Sequence, residues 1–135
     1  MAFVLDASVV LAWLLPDERS EAAERLIERV ISQRPHAPSL LLLEVGNALL
    51  QAERRGRLSA ATRLELLDAF TSMPIALEPL GAKSMLDASA MAASHSLTVY
   101  DACYLQLALV RNCALATFDD SLSRAAGSFG VAILS

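Results

Sequence analysis

Short apolar segments alternate with longer helix-forming segments along the whole chain, and this alternation is what most restricts its fold. Strands are predicted near residues 2–6, 75–80, 114–118 and 131–134, with a very short one within 35–38. Helices are predicted between them, at residues 8–15, 18–34, 39–55, 59–71, 82–94, 101–112 and 121–126. Such alternation is typical of an α/β domain with a mostly parallel central sheet and helices on both faces. The 135 residues fit one domain, 1–135, with a substantial core.

Local signals set the ends of several helices. Pro16 should stop the first one, and residues 18–34 carry an apolar stripe at helical spacing that includes Leu26 and Val30. Ser39 and Ser59 stand where the N-caps of the next two helices are expected.

Composition excludes several classes of protein. No uncharged apolar run approaches the roughly 18–20 residues that a bilayer span needs, so neither a membrane segment nor a signal peptide is expected. The net charge of −4 argues mildly against a generic nucleic-acid binder, although ten of the eleven basic residues are Arg and a local basic face is possible. Cys103 and Cys113 are expected to be reduced thiols, which suits a cytoplasmic protein, and the isolated His36 and His95 give little support to a zinc site.

Four carboxylates occupy positions where acids are costly. Asp6, Asp101 and Asp119 directly follow three apolar runs interpreted as strands (2–5, 97–100 and 114–118), and Glu44 interrupts a leucine-rich helix. A carboxylate beside a core must be paired, hydrogen-bonded or bound to a metal. Because the carboxyl ends of parallel strands share one edge of the sheet, these four acids are expected to form one site around a divalent cation.

An all-carboxylate site favours Mg²⁺ or Mn²⁺ and phosphate chemistry, because both ions prefer oxygen ligands. A metal-activated water could then hydrolyse a phosphodiester without a protein nucleophile. No GxxxxGK[ST] or GxGxxG loop is present, so a nuclease is favoured over a kinase.

Each acid also has a purely structural interpretation. Asp6, and Asp119 or Asp120, could be helix N-caps, and Thr98 with Asp101 matches a capping box. Glu44 has no capping role available, since it lies within a helix.

Further residues are predicted to lie beside this site or to contact a substrate. Ser8 and Thr117 could orient a carboxylate or a water, and Asn47 lies one turn from Glu44. The basic run contains three candidate RNA contacts, although such a run is more often a solvated helix end: Arg54, Arg55 and Arg57.

Four segments, in this order, resemble the motifs of PIN-domain ribonucleases, and of VapC-type toxins in particular. They are 3–10 (FVLDASVV), 43–49 (LEVGNAL), 98–105 (TVYDACYL) and 115–120 (LATFDD). The resemblance implies a PIN-like (flavodoxin-like) α/β/α sandwich and a Mg²⁺- or Mn²⁺-dependent endoribonuclease. It maps the catalytic and metal-binding acids onto Asp6, Glu44, Asp101 and Asp119, with Thr117 in the TxD motif and Asp120 as a secondary acid. It also implies an RNA substrate, a homodimer and a cognate antitoxin that covers the active site.

Two alternatives come from other classes. A receiver-like phosphoacceptor or metal-binding signalling module also gathers acids at strand ends, although only one acid follows the first strand here and Lys83 does not follow an expected strand. A PIN fold could also act as a non-catalytic scaffold.

Overall fold

A computed structural model describes residues 2–135. The strands in chain order are β1 (Phe3–Leu5), β2 (His36–Pro38), β3 (Ala76–Glu78), β4 (Ala114–Ala116) and β5 (Ile133–Leu134). The helices are α1 (Ala7–Leu14), α2 (Glu21–Gln33), α3 (Leu40–Arg54), α4 (Ala60–Thr71), α5 (Ala82–His95), α6 (Val99–Arg111) and α7 (Asp120–Ser128), with a short 3-10 helix at Pro16–Glu18.

The five strands form one sheet in the order β3-β2-β1-β4-β5, and every neighbouring pair is parallel. In the centre, Val4 of β1 lies opposite His36 on one side and Leu115 on the other. The α/β fold with a mostly parallel sheet is therefore confirmed, and the sheet is parallel throughout.

The strand order contains a reversal that determines where a ligand can bind. From β1 the chain moves outward through β2 to β3, then crosses back to β4 and continues to β5 on the opposite side. Because right-handed crossovers are the rule, the two directions of travel place their helices on opposite faces. The connections that follow β1 and β4 leave towards opposite faces of the sheet at this reversal, and ligands of open α/β sheets bind in the crevice between such connections.

The core is centred on β1 and on the helices that cover it. All three residues of β1 are fully buried, and α6 contacts β1, β2 and β4. Tyr104 and Leu105 of α6 lie in this core, as do Val9 and Val10 of α1. Apolar burial of this kind is the main stabilising contribution to a domain of this size.

Most predicted helix and strand bounds agree with the structure to within a few residues, with one wrong strand. Residues 97–100 form no strand; α6 begins at Val99, and the Thr98 hydroxyl caps it by accepting a hydrogen bond from the Asp101 N–H. The run of four apolar and β-branched residues is a helix start, which a short run cannot reveal by periodicity.

Of the two predicted N-caps, the one on α4 is present and the one on α3 is not. The Ser59 hydroxyl caps α4 through the Thr62 N–H, as predicted. The prediction for Ser39 was wrong, because Ser39 has helical backbone angles and its side chain makes no capping bond.

Both cysteines are free, with Cys103 buried and Cys113 half-buried. Among residues 2–135 no helix is long and apolar enough to cross a membrane.

Candidate active site

The candidate site lies at the reversal of strand order, between the ends of β1 and β4. Asp6 is the first residue after β1, and Thr117 follows β4 directly, two residues before Asp119. The Asp6 N–H donates to the Ala116 carbonyl, so the two strand ends are held together at this point. Side chains leaving β1 and β4 therefore meet without any long loop between them.

Asp6 is buried and surrounded by hydrogen-bond donors. Only 4% of its surface is exposed. Its Oδ1 accepts from the Ser8 hydroxyl at 2.6 Å and from the Val9 N–H at 3.3 Å, while its Oδ2 accepts from the Thr117 hydroxyl at 2.5 Å. The bond from Val9 makes Asp6 the N-cap of α1, so the capping interpretation is confirmed for this acid. A carboxylate offers about four lone-pair sites, and these three bonds leave one for a further partner.

Burial raises the pKa of Asp6 from 3.8 to about 6, and hydrogen bonds from Ser8, Thr117 and the backbone limit this rise. Removal of the charged form from water is the largest of these effects. A cation bound beside the carboxylate would favour ionisation and act against it.

The Ser8 and Thr117 hydroxyls join the two loops that carry Asp6 and Asp119. Ser8 donates to Asp6 and accepts from the Phe118 N–H at 2.9 Å. Thr117 donates to Asp6 and accepts from the Asp119 N–H at 3.0 Å. Each hydroxyl thus connects a carboxylate on the β1 side to the backbone on the β4 side.

Glu44 lies in the second turn of α3 and is held by a side chain from another helix. The Tyr104 hydroxyl of α6 donates to Glu44 Oε1 at 2.6 Å. Burial raises the pKa of Glu44, the bond from Tyr104 opposes the rise, and the charge of Asp101 adds to it. Glu44 and Asp101 are therefore close enough to repel each other.

Asp101 and Asp119 are a second pair of interacting acids. Burial raises the pKa of Asp101, and the charge of Asp119 raises it further. Asp119 accepts from the Leu122 N–H at 2.7 Å and so caps α7, as its structural interpretation predicted. Asp101 lies in the first turn of α6 rather than after a strand, and the N-terminal half of that helix brings it to the site.

The four acids form a chain of neighbours rather than one tight cluster. The charge of Asp101 adds to the raised pKa of Glu44, and the charge of Asp119 adds to the raised pKa of Asp101. The Thr117 hydroxyl connects Asp6 to the backbone N–H of Asp119. Within residues 2–135, however, no three acid, His or Cys side chains are close enough to ligate a single ion. In this conformation an ion would therefore bind to one or two carboxylates and complete its shell with water or ligand oxygens.

Two open cavities flank Leu11 at this edge of the sheet. The first, about 440 Å³, is lined by residues that include Glu44, Asn47 and Tyr100. The second, about 550 Å³, is lined by residues that include Ser8 and Asp119. Each cavity is lined by one of the four acids, Glu44 in the first and Asp119 in the second.

The remaining predicted residues lie farther from the acids. Asp120 is exposed at the first position of α7, and no hydrogen bond in the described part of the chain joins it to the other acids. Arg54 and Arg55 are exposed at the end of α3, about 15 Å along the helix from Glu44 at 1.5 Å per residue. Arg57 is bound in ion pairs to Asp17 and Glu18, so a phosphate would have to compete for it.

Sequence reasoning missed Tyr104 as a member of the site. Sixty residues separate it from Glu44, and no local spacing could join the two. The available signal was the residue type, because a tyrosine in an apolar helix needs a partner for its hydroxyl when it is buried.

Comparison with known proteins gives the same picture from sequence. The family model described as "PIN domain" matches residues 3–128. "Ribonuclease VapC3" of Pyrobaculum aerophilum is 37% identical over 124 residues, which cover 91% of this chain and 93% of that protein.

Solved structures share the fold. PAE2754 from Pyrobaculum aerophilum matches with a TM-score of 0.75 at 22% identity, covering 99% of this chain and 84% of that one. A chain in the structure of VapBC2 from Rickettsia felis, bound to a DNA fragment from their promoter, matches with a TM-score of 0.70 at 13% identity and covers 98% and 97%.

Proposed function

This chain belongs to the PIN-domain family, and we propose that it is an endoribonuclease that hydrolyses RNA phosphodiester bonds with the help of Mg²⁺ or Mn²⁺. One observation carries the proposal: acids that arrive from β1, α3, α6 and the end of β4 lie beside one another at the crevice where the strand order reverses. The similarity of nearly the whole chain to a protein named a ribonuclease supports the same reaction.

The donor set fits a hard divalent cation. The four assigned groups are all carboxylates. Burial raises the pKa of Glu44 and of Asp101, and a neighbouring like charge adds to each rise, Asp101 at Glu44 and Asp119 at Asp101. Mg²⁺ retains several waters and binds through one or two carboxylates plus substrate phosphate oxygens, so a site without three converging acids is adequate. We assign metal binding to Asp6, Glu44, Asp101 and Asp119.

When bound, such an ion makes a water molecule nucleophilic near neutral pH and stabilises the departing oxygen. The protein's own contribution is position. Ser8 and Thr117 fix the plane of the Asp6 carboxylate, the helix start fixes Asp119, and Tyr104 fixes Glu44. No side chain needs to attack the phosphorus, and the Ser8 hydroxyl is occupied by Asp6 and Phe118.

The surroundings of Asp6 and Lys83 disfavour a receiver-like phosphoacceptor. A phosphoacceptor aspartate forms a covalent bond through one oxygen, yet both oxygens of Asp6 accept hydrogen bonds from side chains, and Asp6 is the only acid that directly follows β1. Lys83, the only lysine, is largely exposed and pairs with Asp87 on the same helix.

The biological setting forms part of the proposal. We infer that the chain is the toxin of a VapBC-type pair, because the matched relative is a VapC ribonuclease and a fold match comes from a VapBC complex. A cognate antitoxin, a homodimer and a cytoplasmic location complete this proposal, and Arg54 and Arg55 are its candidate RNA contacts.

The decisive experiment is RNA cleavage by the purified chain with Mg²⁺ or Mn²⁺, with EDTA, and with Asp6→Asn. We expect divalent-dependent cleavage that falls at least about 100-fold in the variant, because an amide cannot replace a negatively charged ligand. Asp68→Asn, a matched change at an exposed position on α4, should cleave like the wild type. Cleavage that persists in EDTA, or a fully active Asp6→Asn protein, would contradict the proposal.

A further inference from the structure

Tyr104 connects the two helical layers of the molecule through a single polar contact. Tyr104 lies on α6, and its ring is part of the hydrophobic core with 1% of the residue's surface exposed. Its hydroxyl donates to Glu44 Oε1 at 2.6 Å. Glu44 itself is on α3, which packs against α1 and α4, whereas α6 packs against the sheet and α5. The contact therefore sets one of the site's carboxylates relative to a helix on the opposite face of the sheet.

Asp101 and Tyr104 are three residues apart on α6 and lie on the same side of that helix. One helix thus supplies an acid of the site and the group that holds a second acid. Within residues 2–135, Oε2 of Glu44 accepts no hydrogen bond, so one carboxylate oxygen is held while the other is free of protein donors. Groups that hold a ligating carboxylate in this way commonly affect metal affinity or activity by 10- to 100-fold when they are removed.

We propose that Tyr104 is a positioning residue of the active site, whose hydroxyl holds the Glu44 carboxylate in the orientation used to bind the divalent cation. This inference rests on the proposed metal-dependent function. Tyr104 itself touches neither the metal nor the RNA; it acts through Glu44.

A purely structural role is the competing explanation, because a buried tyrosine hydroxyl normally needs a partner. Tyr104→Phe separates the two, since it keeps the ring in the core and removes only the donor. A structural role predicts a change in thermal stability alone. The positioning role predicts a change in metal binding as well.

The measurement is Mn²⁺ binding by calorimetry on the full chain, with single-turnover RNA cleavage across a Mn²⁺ titration. We expect Tyr104→Phe to bind Mn²⁺ about 10- to 100-fold more weakly and to need correspondingly more Mn²⁺ for cleavage. Its KM for RNA at saturating Mn²⁺ should stay within about twofold of the wild type, because no RNA contact is lost. Ser59→Ala is the control for stability: it removes the cap of α4 and should lower the melting temperature without changing Mn²⁺ affinity.

A double-mutant cycle tests whether the effect passes through Glu44. In a Glu44→Gln background, adding Tyr104→Phe should change Mn²⁺ affinity by less than about threefold, because the group it positions is already gone. Unchanged Mn²⁺ binding by Tyr104→Phe, or an equal loss in both backgrounds, overturns the proposal.

Should Tyr104→Phe fail to fold, Tyr104→Met asks the same question, because it removes the same hydroxyl, leaves Glu44 intact and fills the core position with a flexible apolar side chain. Weakened Mn²⁺ binding by this variant supports the proposal, and wild-type binding overturns it. A wild-type chain that neither binds Mn²⁺ nor cleaves RNA would overturn the proposed function together with this inference. A wild-type chain that cleaves RNA, together with a Tyr104→Phe variant whose Mn²⁺ affinity is unchanged, would overturn this inference alone.

Discussion

Asp6→Asn should stabilise the metal-free protein at alkaline pH, even though it is expected to abolish activity. The Asp6 pKa rises from 3.8 to about 6 on folding, and each pKa unit corresponds to about 1.36 kcal/mol. Keeping this carboxylate ionised in the folded state at pH 8 therefore costs about 3 kcal/mol. The variant removes that cost.

The sign follows from proton binding. Between about pH 4 and pH 6 the folded state binds a proton at Asp6 that the unfolded state has released, so the free energy of unfolding falls as pH rises through this range. The contribution is favourable at acidic pH and is lost above about pH 7. About 2 kcal/mol of the change lies between pH 4.5 and pH 8.

The asparagine amide introduces a smaller opposing effect. Its oxygen can still accept from Ser8 and Val9, but its NH₂ group would face the Thr117 hydroxyl that now donates to Oδ2. Thr117 must reverse its hydroxyl, at a cost of about 1 kcal/mol. The variant should therefore be more stable than the wild type by about 2 kcal/mol at pH 8 in EDTA, with the advantage disappearing near pH 4.5.

Urea unfolding followed by circular dichroism, at several values of pH with and without Mn²⁺, measures this difference. Saturating Mn²⁺ should reverse the order at pH 8, because an ion at 100 times its Kd adds about 2.7 kcal/mol to the wild type. A difference between the two proteins that does not vary with pH would refute the reasoning, since it would show that Asp6 is ionised at the same pH in the folded and unfolded chains.

Three further changes test other parts of the site. Glu44→Gln should lower cleavage at least about 100-fold, measured at saturating Mn²⁺, while Glu65→Gln at an exposed position of α4 should not. The double change Arg54→Gln and Arg55→Gln should weaken RNA binding and reduce the slope of log affinity against log salt by about 1.4; an unchanged slope would exclude both as phosphate contacts. Thr117→Val should lower the free energy of unfolding by about 1–3 kcal/mol and slow cleavage, because two hydrogen bonds at the site are lost; equal urea midpoints would contradict this.

Most of the fold could be predicted from the sequence because apolar runs, caps and breaks agree with one another along the chain. The run 97–100 was misinterpreted as a strand because four apolar or β-branched residues have no measurable period, and the Thr98 cap determines the outcome. Asp101 nevertheless lies near Asp119, whose charge adds to the raised pKa of Asp101, although it comes from the first turn of α6 and not from a strand end.

The contacts between distant residues could not be predicted. The four acids were named from their positions beside apolar segments, but the bond from Tyr104 to Glu44 depends on how α6 packs against α3. The pairing of Arg57 with Asp17 and Glu18 likewise depends on a tertiary approach, and it makes Arg57 the least available of the three predicted RNA contacts.

Asp6 and Asp119 each begin a helix as well as carrying charge into the crevice. A selection for inactive variants of this chain should therefore favour different substitutions at Asp6 and Asp119 than at Glu44. Asparagine would remove the activity and still cap the helix. Alanine would also remove the cap, so the first turn of the helix would open more often and the variant would be degraded faster. Inactive variants that remain folded and accumulate in the cell should therefore carry asparagine at these two positions more often than alanine.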